Sequence, residues 1–575
     1  MGKHSADMTS QMVSGYNRLL WEMSRSHLPA LAGIIILNIL GMLFTIASPL
    51  IMGFLIDSVL IGRNTDLLIP VLLLMTGIYL LSALSEYLSA QIKGRLDITL
   101  FTEFSSRVLN KVQRSGYYDV QQFKTGDLQV RTAGNAYSII QTVTGTAPQI
   151  LVTILGIFLP VVIMVSLNAQ ITLIILLPVF LFVISSWYFG NRIKTLQRPS
   201  LDASADLQSF LKEAYASLPL IKVYKLEDWV HRRYNEHLSR YTCASINVVK
   251  VGSLNSAVTM LIYGIPSILI VILGSVAVIQ GTITIGTLTA FIGYVGLFFS
   301  PVQTLSMYWN NYKSSQASYD RIKEIFDLTA DNAGEEQFPV FVKRIDFESV
   351  TFSYDGRIIL RDFCATFSTG RNFLLGDNGS GKTTIAKLLC GLYKPESGMI
   401  TFEGRDISEI NQDSLRSSVS VVFSDSLIFD GTIAENILLG DLSATEDEMV
   451  LAAKKAKLHE FVVKLPEHYD TRVGESGMKL SSGEKQKIAL ARIILRDSPI
   501  IIFDEFTRSI DIESKKSIYS VINQLNNKII IIITHDMNDV DEGGRIVVLQ
   551  RDGFTLPPDR FMSPLTVDSS SFVWG

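Results

Sequence analysis

The chain has 575 residues, enough for two or three domains, and 48% of them are hydrophobic. Its mean hydropathy of +0.30 is high for a soluble protein, and the net charge of −4 excludes a global basic field that would attract nucleic acid. Cys243, Cys364 and Cys390 have neither disulfide nor zinc spacing, so we expect three reduced, structural thiols.

The N-terminal segment, residues 1–27, is mostly polar and precedes the first long apolar run. That run is too long for the apolar region of a cleavable signal peptide. Residues 16–23 have the pattern of a short amphipathic helix at the membrane surface, and a disordered leader is the alternative. We therefore predict a cytosolic segment here rather than a secretory signal.

Long apolar runs predict a six-helix, all-α transmembrane domain over residues 28–325. The candidate spans are 28–56, 67–90, 139–167, 170–191, 253–279 and 285–308. Each is longer than the roughly 20 residues that a helix needs to cross about 30 Å of hydrocarbon. Helix is the expected state because every backbone polar group inside lipid must be bonded within its own segment.

The distribution of Lys and Arg predicts how the spans are oriented. Segments 91–138 and 192–252 are rich in both residues, whereas Arg63 is the only basic residue in the opposite loops. By the positive-inside rule, the two long segments and both termini face the cytosol. We expect the inner (plasma) membrane of a bacterium as the location.

The same two segments have helical patterning and few residues that break helices. About 20 helical residues extend roughly 30 Å, so each segment can leave the membrane, turn and return. Turns are expected near 124–127, which includes Asp127, and near 218–220. These tips are candidates for contact with a cytosolic domain, and solvated stalks are the alternative.

Polar residues inside the spans are candidates for cargo contacts. Ionisable groups in membrane spans usually face a cavity, which singles out Glu86, with Asn38 as a weaker candidate. Glu86 also lies near the predicted cytosolic end of the second span, where it could simply be hydrated.

A polar linker is predicted over residues 326–342. Residues 343–553 then alternate short apolar runs with helical stretches, which predicts an α/β domain. The tail, residues 554–575, has no pattern to which a role can be assigned.

A phosphate-binding loop is predicted over residues 376–383, which match G-x-x-x-x-G-K-[ST] between a predicted strand and a predicted helix. The glycines let backbone N–H groups close around a phosphate, and the helix N-terminus adds positive potential. Lys382 would neutralise the terminal phosphates, and Thr383 would hold Mg²⁺. The predicted nucleotide contacts here are Gly376, Asn378, Gly379, Ser380, Gly381, Lys382, Thr383 and Thr384.

Two carboxylates end the apolar segment 499–505. If the segment is a buried strand, it delivers Asp504 to the metal and leaves Glu505 to polarise a water. Two acids at a strand end can also be a plain turn, but a phosphate loop earlier in the chain favours the catalytic interpretation.

A further helix start is predicted at residues 480–484, Leu-Ser-Ser-Gly-Glu. Ser481 and Glu484 fit a capping box, in which each side chain bonds the other residue's backbone N–H. A serine and a glycine at a helix N-terminus also favour an anion, so Ser481 and Gly483 are predicted nucleotide contacts.

Taken together, these motifs resemble those of ATP-binding-cassette transporters, in particular half-transporters of the exporter type. The resemblance extends from about residue 15 to 550. It implies ATP and Mg²⁺ as ligands, ATP hydrolysis coupled to transport, and a dimer in the lipid bilayer. We expect a homodimer because one chain carries both halves of the composite site, and a heterodimer is the alternative. In that dimer the phosphate loop of one subunit and residues 481–483 of the other would enclose each ATP.

The resemblance also implies roles for single residues. Tyr354 would stack on adenine, and His535 would lie near the γ-phosphate as a catalytic residue. Glu475 belongs to the loop that meets the coupling segments, and Asp511 ends the dimer-contact loop. Asp127 lies in the sequence that resembles the first coupling segment.

Two residues depart from the family pattern. Ser424 stands where the family usually has a glutamine that contacts Mg²⁺ and water, and it is the predicted metal contact at that position. Glu484 replaces another glutamine and brings a carboxylate near a phosphate, unless the capping box turns it back.

The expected cargo is a peptide or an amphipathic small molecule, moved outward from the cytosol. The peptide option is based on residues 422–425, Val-Phe-Ser-Asp, which resemble exporters of cyclic or modified peptides. A lipid flippase, a siderophore importer with the exporter fold, and a non-transporting regulator are the alternatives.

Overall fold

Six helices among the described residues are long and apolar enough to cross a membrane. They are Leu28–Ile61, Thr65–Gln113, Thr125–Leu167, Ala169–Ala216, Glu227–Ile279 and Ile285–Phe326. Their most apolar stretches have mean hydropathies of 1.6 to 2.8. The six-helix transmembrane domain predicted from the sequence is thus confirmed.

The computed structural model describes residues 15–331, 334–339, 341–354, 356–424, 427–474, 477–506, 512–540 and 543–550. The chain forms two compact units. We call the first the helical unit; it holds the chain up to Asn110 together with Thr125–Phe326. We call the second the α/β unit; it holds Lys111–Lys124 and the chain from Asp327 onward.

The helices of the first part of the chain are numbered α1 to α11. They are α1 (15–25), α2 (Leu28–Phe54), α3 (Leu68–Gln113), α4 (Tyr117–Gln121), α5 (Thr125–Gln129), α6 (Ala136–Gln141), α7 (Ala147–Leu167), α8 (Ala169–Ala216), α9 (Leu218–Tyr224), α10 (Glu227–Ile279) and α11 (Ile285–Phe326). Wider π-helical turns continue or join them at Leu55–Ile61, Val130–Asn135 and Thr142–Thr146, and a 3₁₀ turn precedes α3 at Thr65–Leu67.

The length of these helices explains the two long basic segments. The helix α10 has 53 residues. At 1.5 Å per residue it is about 80 Å long, so it extends about 50 Å beyond the hydrocarbon of a bilayer. The chain reverses at α9, where the sequence predicted a turn, because Pro219 occupies the first turn of a new helix.

The first predicted tip needs a correction. The sequence placed a turn near 124–127, but α5 begins at Thr125, and the turn lies at 122–124. The helix places Asp127 in a first turn, where a carboxylate is favourable, so the Thr-Gly-Asp sequence starts a helix instead of reversing the chain.

The helical unit is held together by aromatic residues of α11. Phe291, Tyr294 and Phe299 are fully buried, and they belong to a cluster with residues of α2, α7, α8 and α10. The Tyr294 hydroxyl donates to the Ile46 carbonyl oxygen at 2.7 Å, so its polar atom is satisfied inside the core.

The helix predicted near residue 16 forms and is anchored to α11. The buried Tyr16 donates from its hydroxyl to Ser315 Oγ at 2.7 Å. Its ring lies 5.4 Å from the ring of Tyr312 and 5.4 Å from that of Tyr319. Trp21, on the same helix, is exposed, as expected of an amphipathic helix.

The α/β unit contains two sheets. Its strands are β1 (Arg344–Tyr354), β2 (Arg357–Ser368), β3 (Gly370–Gly376), β4 (Ser397–Phe402), β5 (Arg405–Asp406), β6 (Val419–Val422), β7 (Ile500–Asp504), β8 (Ile529–Thr534) and β9 (Arg545–Leu549). Its helices are α12 (Lys382–Leu389), α13 (Gln412–Ser418), α14 (Ile433–Leu438), α15 (Glu446–Lys455), α16 (His459–Val462), α17 (Ser482–Arg496) and α18 (Ile512–Ile522). Short 3₁₀ turns lie at His468–Asp470 and Met537–Asp539.

The parallel sheet, in the order β6-β7-β8-β3-β9, decides where functional residues meet. Every residue of β7 and β8 is buried, which explains their almost continuous isoleucine sequence. In the register of the sheet, Leu375 is paired with Thr534 and Asp504 with Ile533. The carboxyl ends of β3, β7 and β8 therefore lie at one edge. The smaller antiparallel sheet has the order β2-β1-β4-β5.

Candidate functional site

The loop between β3 and α12 has a backbone that requires glycine. Gly379 and Gly381 have φ angles of +83° and +106°, which other residues rarely adopt. A Cβ on Gly376 would lie 2.5 Å from the Leu549 carbonyl oxygen. The glycines of the motif are thus fixed by steric constraints, and the loop leads directly into the N-terminus of α12.

Lys382 lies inside this loop and is only 4% exposed. Its Nζ donates to the carbonyl oxygens of Gly376 and Asp377, at 2.7 Å each, and lies 3.9 Å from Glu505 Oε1. Burial lowers the pKa of Lys382, and the nearby carboxylates of Glu505 and Asp504 oppose this shift. The ammonium group is therefore held inside the loop that is predicted to bind phosphate.

Asp504 ends the buried strand β7 and is 2% exposed. Burial raises the pKa of Asp504, and a hydrogen bond from the Thr383 side chain opposes the shift. Its Oδ1 has no hydrogen-bond partner among the described residues, and neither has Ser380 Oγ. Buried oxygen atoms without partners suit a hard cation that takes oxygen ligands, so this group fits Mg²⁺.

Glu505 follows in a left-handed conformation with a φ of +44°. Its backbone N–H donates to the Ile533 carbonyl oxygen at 3.1 Å, which ties the residue to the end of β8. Its Oε1 lies 3.6 Å from Nδ1 of the partly exposed His535. Strained backbone at a strand end is common in active sites, and here it turns the carboxylate toward Lys382 and His535.

Ser424 lies two residues beyond β6, which neighbours β7 in the parallel sheet. Because Val422 is paired with Phe503, Ser424 is at the same edge as Asp504. The side chain is exposed. The structure thus places Ser424 near the predicted metal ligands in the sheet, and its contact with Mg²⁺ stays a prediction.

Tyr354 is the last residue of β1, and its ring lies in an aromatic cluster. Its centroid is 5.0 Å from that of Phe352 and 5.4 Å from that of the buried Tyr393. Tyr354 itself is only half-buried, so part of its surface is accessible for the predicted adenine contact.

The capping box predicted at α17 is confirmed. The Ser481 backbone N–H donates to Glu484 Oε2 at 2.7 Å, and Ser481 Oγ accepts from the Glu484 N–H at 3.4 Å. The Glu484 carboxylate is thus turned back onto the start of its own helix. This leaves Ser481 and Gly483 as the candidate phosphate contacts, a role that stays a prediction.

The remaining predicted residues are spread over the chain. Asp127 pairs with Arg131 at 2.7 Å in the helical unit, and Asn38 Oδ1 accepts from Ser89 Oγ at 2.7 Å between α2 and α3. Glu86 is exposed on α3. Glu475 and Asp511 lie outside the described residues.

Sequence reasoning missed Tyr393, which contacts Tyr354 and a short helix more than 270 positions earlier in the chain. The tyrosine pair at 117–118 inside an otherwise polar segment was the one signal that could have indicated a buried contact.

Residues 31–302 match the family model of the ABC transporter transmembrane region, and residues 361–508 match that of the ABC transporter. The chain belongs to the ABC transporter family. One transmembrane region precedes one ATPase region, so the chain is an exporter-type half-transporter that hydrolyses ATP to drive transport.

The relatives of this ABC transporter have several named roles. YgaD of Bacillus subtilis, named as a candidate multidrug export ATP-binding/permease protein, is 28% identical over 90% of this chain and 91% of its own length. The ATP-dependent lipid A-core flippase of Syntrophus aciditrophicus is 26% identical, covering 94% of this chain and 90% of its own.

A solved structure has the same fold. A bacterial Atm1-family ABC exporter with ATP bound superposes with a TM-score of 0.79 and 24% sequence identity. The superposition covers 92% of this chain and 94% of that chain, so the likeness extends over both units.

Proposed function

We propose that two copies of this chain form a homodimeric exporter that moves a peptide or an amphipathic small molecule outward from the cytosol. One chain holds both parts of a nucleotide site: the sheet edge with Lys382, Asp504 and Glu505, and the capped helix that starts after Ser481. The family resemblance assigns these parts to opposite subunits. Two identical chains would then form two complete sites.

At each site, Lys382 would neutralise the terminal phosphates of ATP. Glu505 would accept a hydrogen bond from the attacking water, and His535 would hold that carboxylate in place. Mg²⁺ would be held by Thr383 and Asp504, with Ser424 as a further candidate, and would offset the charge of the triphosphate.

Binding of ATP between the two copies would bring the α/β units together, and hydrolysis would release them. The segments that contain α4 and α9 would pass this motion to the spans, which alternate between inward and outward access. We place the ATPase part and both termini in the cytosol and the spans in a bacterial inner membrane, in line with the basic residues of the long segments.

A second candidate function is lipid flipping. It is favoured by the similarity to a protein named as a lipid A-core flippase. The exposed Glu86 on α3 suits either cargo, because an ionisable group in a span usually faces a polar pathway.

The test is ATP hydrolysis by the full-length protein in lipid discs, with amphipathic peptides, individual lipids and siderophores added in turn. Stimulation by peptides at constant lipid composition supports peptide export. Stimulation by one lipid class, with no response to peptides, supports flipping instead. Stimulation by siderophores alone would refute both proposals.

A further inference from the structure

The segment Lys111–Lys124 lies between two spans in sequence but belongs to the α/β unit in structure. Ser115 pairs with Ala330 in an isolated antiparallel bridge, and the Gly116 N–H donates to the Thr329 carbonyl oxygen at 3.2 Å. Lys111 Nζ also donates to the Leu328 carbonyl oxygen at 2.7 Å. These bonds tie the first part of the segment to the chain that leads into β1.

The helix α4 within this segment packs on Tyr393. The rings of Tyr117 and Tyr118 each lie 5.9 Å from the Tyr393 ring. The Tyr393 hydroxyl donates to Gln121 Oε1, so α4 is held by two ring contacts and one directed hydrogen bond. Burial raises the pKa of Tyr393, which keeps the hydroxyl protonated as a donor.

The same ring also contacts the predicted adenine contact and the helix that follows the phosphate loop. It lies 5.4 Å from Tyr354 and 5.3 Å from Phe352 at the end of β1. Lys387, on the helix that follows the phosphate loop, places its Nζ 5.3 Å from the centre of the Tyr393 ring. Tyr393 is 2% exposed, so it cannot move without displacing these neighbours.

We propose that Tyr393 is a positioning residue through which α4 senses the base of the bound nucleotide. This inference rests on the proposed ATP site. A purine that stacks on Tyr354 restricts that ring, and the close packing then restricts Tyr393 and its hydrogen bond to Gln121. A pyrimidine offers a smaller surface for stacking, so it should order α4 less even when its triphosphate is bound equally well.

The experiment is hydrogen exchange of residues 114–124 in the full-length protein in lipid discs. The probes are the β,γ-imido analogues of ATP and UTP with Mg²⁺, each at a concentration that saturates its site. We expect exchange to be about three- to tenfold slower with the ATP analogue than with the UTP analogue, the effect of roughly one aromatic contact.

Two variants and one control complete the test. Tyr393→Leu and Gln121→Leu should bind both analogues and lose most of the difference in exchange. Tyr469→Leu removes another partly buried tyrosine of the α/β unit, whose hydroxyl is 2.8 Å from His459 Nδ1, and should keep the difference. If Tyr393→Leu fails to fold, Gln121→Leu, which changes only α4, decides the result.

Equal exchange with the two analogues in the wild type would overturn the inference, as would an unchanged difference in Gln121→Leu. Failure of both analogues to bind would refute the ATP site itself. Binding without a base-dependent effect would refute only the role of Tyr393.

Discussion

The buried carboxylate of Asp504 should cost stability when no metal is bound. The group is 2% exposed, and its Oδ1 has no partner among the described residues. Burial raises the pKa of Asp504 in the folded state. Protonated Asp504 therefore contributes to stability at any pH below the pKa that it has in the unfolded chain. This contribution is lost as the pH rises through the pKa that Asp504 has in the folded state. Above the folded pKa, the charged form therefore destabilises the fold.

We expect Asp504→Asn to remove this cost while keeping the shape of the side chain. The change removes the desolvation cost of the carboxylate charge, and the loss of its attraction to Lys382 offsets part of that gain, so a net gain of about 1 kcal/mol is expected, the equivalent of roughly one unit of pKa. For a unit of this size, that raises the midpoint of thermal unfolding by about 2–4 °C.

The assay is thermal unfolding of the full-length protein at neutral pH, first with a chelator and then with Mg²⁺ and ATP. Wild type at a ligand concentration of 100 Kd should gain about 2.7 kcal/mol from binding, whereas Asp504→Asn should gain little. Asp206→Asn, at an exposed position inside α8, is the control and should change neither result. Lower stability of Asp504→Asn with chelator, together with full stabilisation by Mg²⁺ and ATP, would show that the Asp504 charge neither destabilises the fold nor binds the metal.

Three further substitutions test the catalytic carboxylate, the cap of α17 and the cap of α11. Glu505→Gln should bind ATP and slow hydrolysis about 10²–10⁴-fold because the water loses its general base, and wild-type turnover would contradict that role. Ser481→Ala should cost about 1 kcal/mol of stability at the start of α17, because the helix loses its N-cap. Hydrogen exchange at residues 482–485 should then be faster, and unchanged exchange would show that the cap is dispensable. Asp57→Ala removes the acceptor of the Gly286 N–H, at 2.8 Å, and of the Thr284 hydroxyl. Exchange at residues 284–290 should then rise, and unchanged exchange would show that this cap on α11 is unimportant.

Much of the fold could be predicted because the relevant patterns are local. A membrane span is a continuous apolar run, and its length is set by the bilayer alone. The phosphate loop is defined by glycines with φ angles that other residues avoid, as Gly379 and Gly381 show. The capping box of Ser481 needs only four consecutive residues.

Contacts between distant segments could not be predicted. The sequence predicted that the first tip could contact a cytosolic domain, and Lys111–Lys124 does belong to the α/β unit, but nothing near Tyr117 indicates that its partner is Tyr393. The same applies to Asn38, predicted as a cargo contact, whose amide oxygen accepts a hydrogen bond from Ser89. Such pairings depend on how the helices pack, which apolar periodicity does not encode.

The position of the first tip shows a second limit. Thr125-Gly-Asp127 has the composition of a turn, yet it forms the first turn of α5. Asp127 then bonds Arg131, whose guanidinium also contacts Glu324 at 2.6 Å. A distant ion pair thus stabilises a helix that local composition argues against.

We propose that two copies of the chain share each ATP during turnover. The measurement is ATP hydrolysis in lipid discs that hold either one copy or two, with the rate expressed per chain. We predict sustained hydrolysis in the two-copy discs and almost none in the single-copy discs. Equal rates per chain in both preparations would contradict the claim.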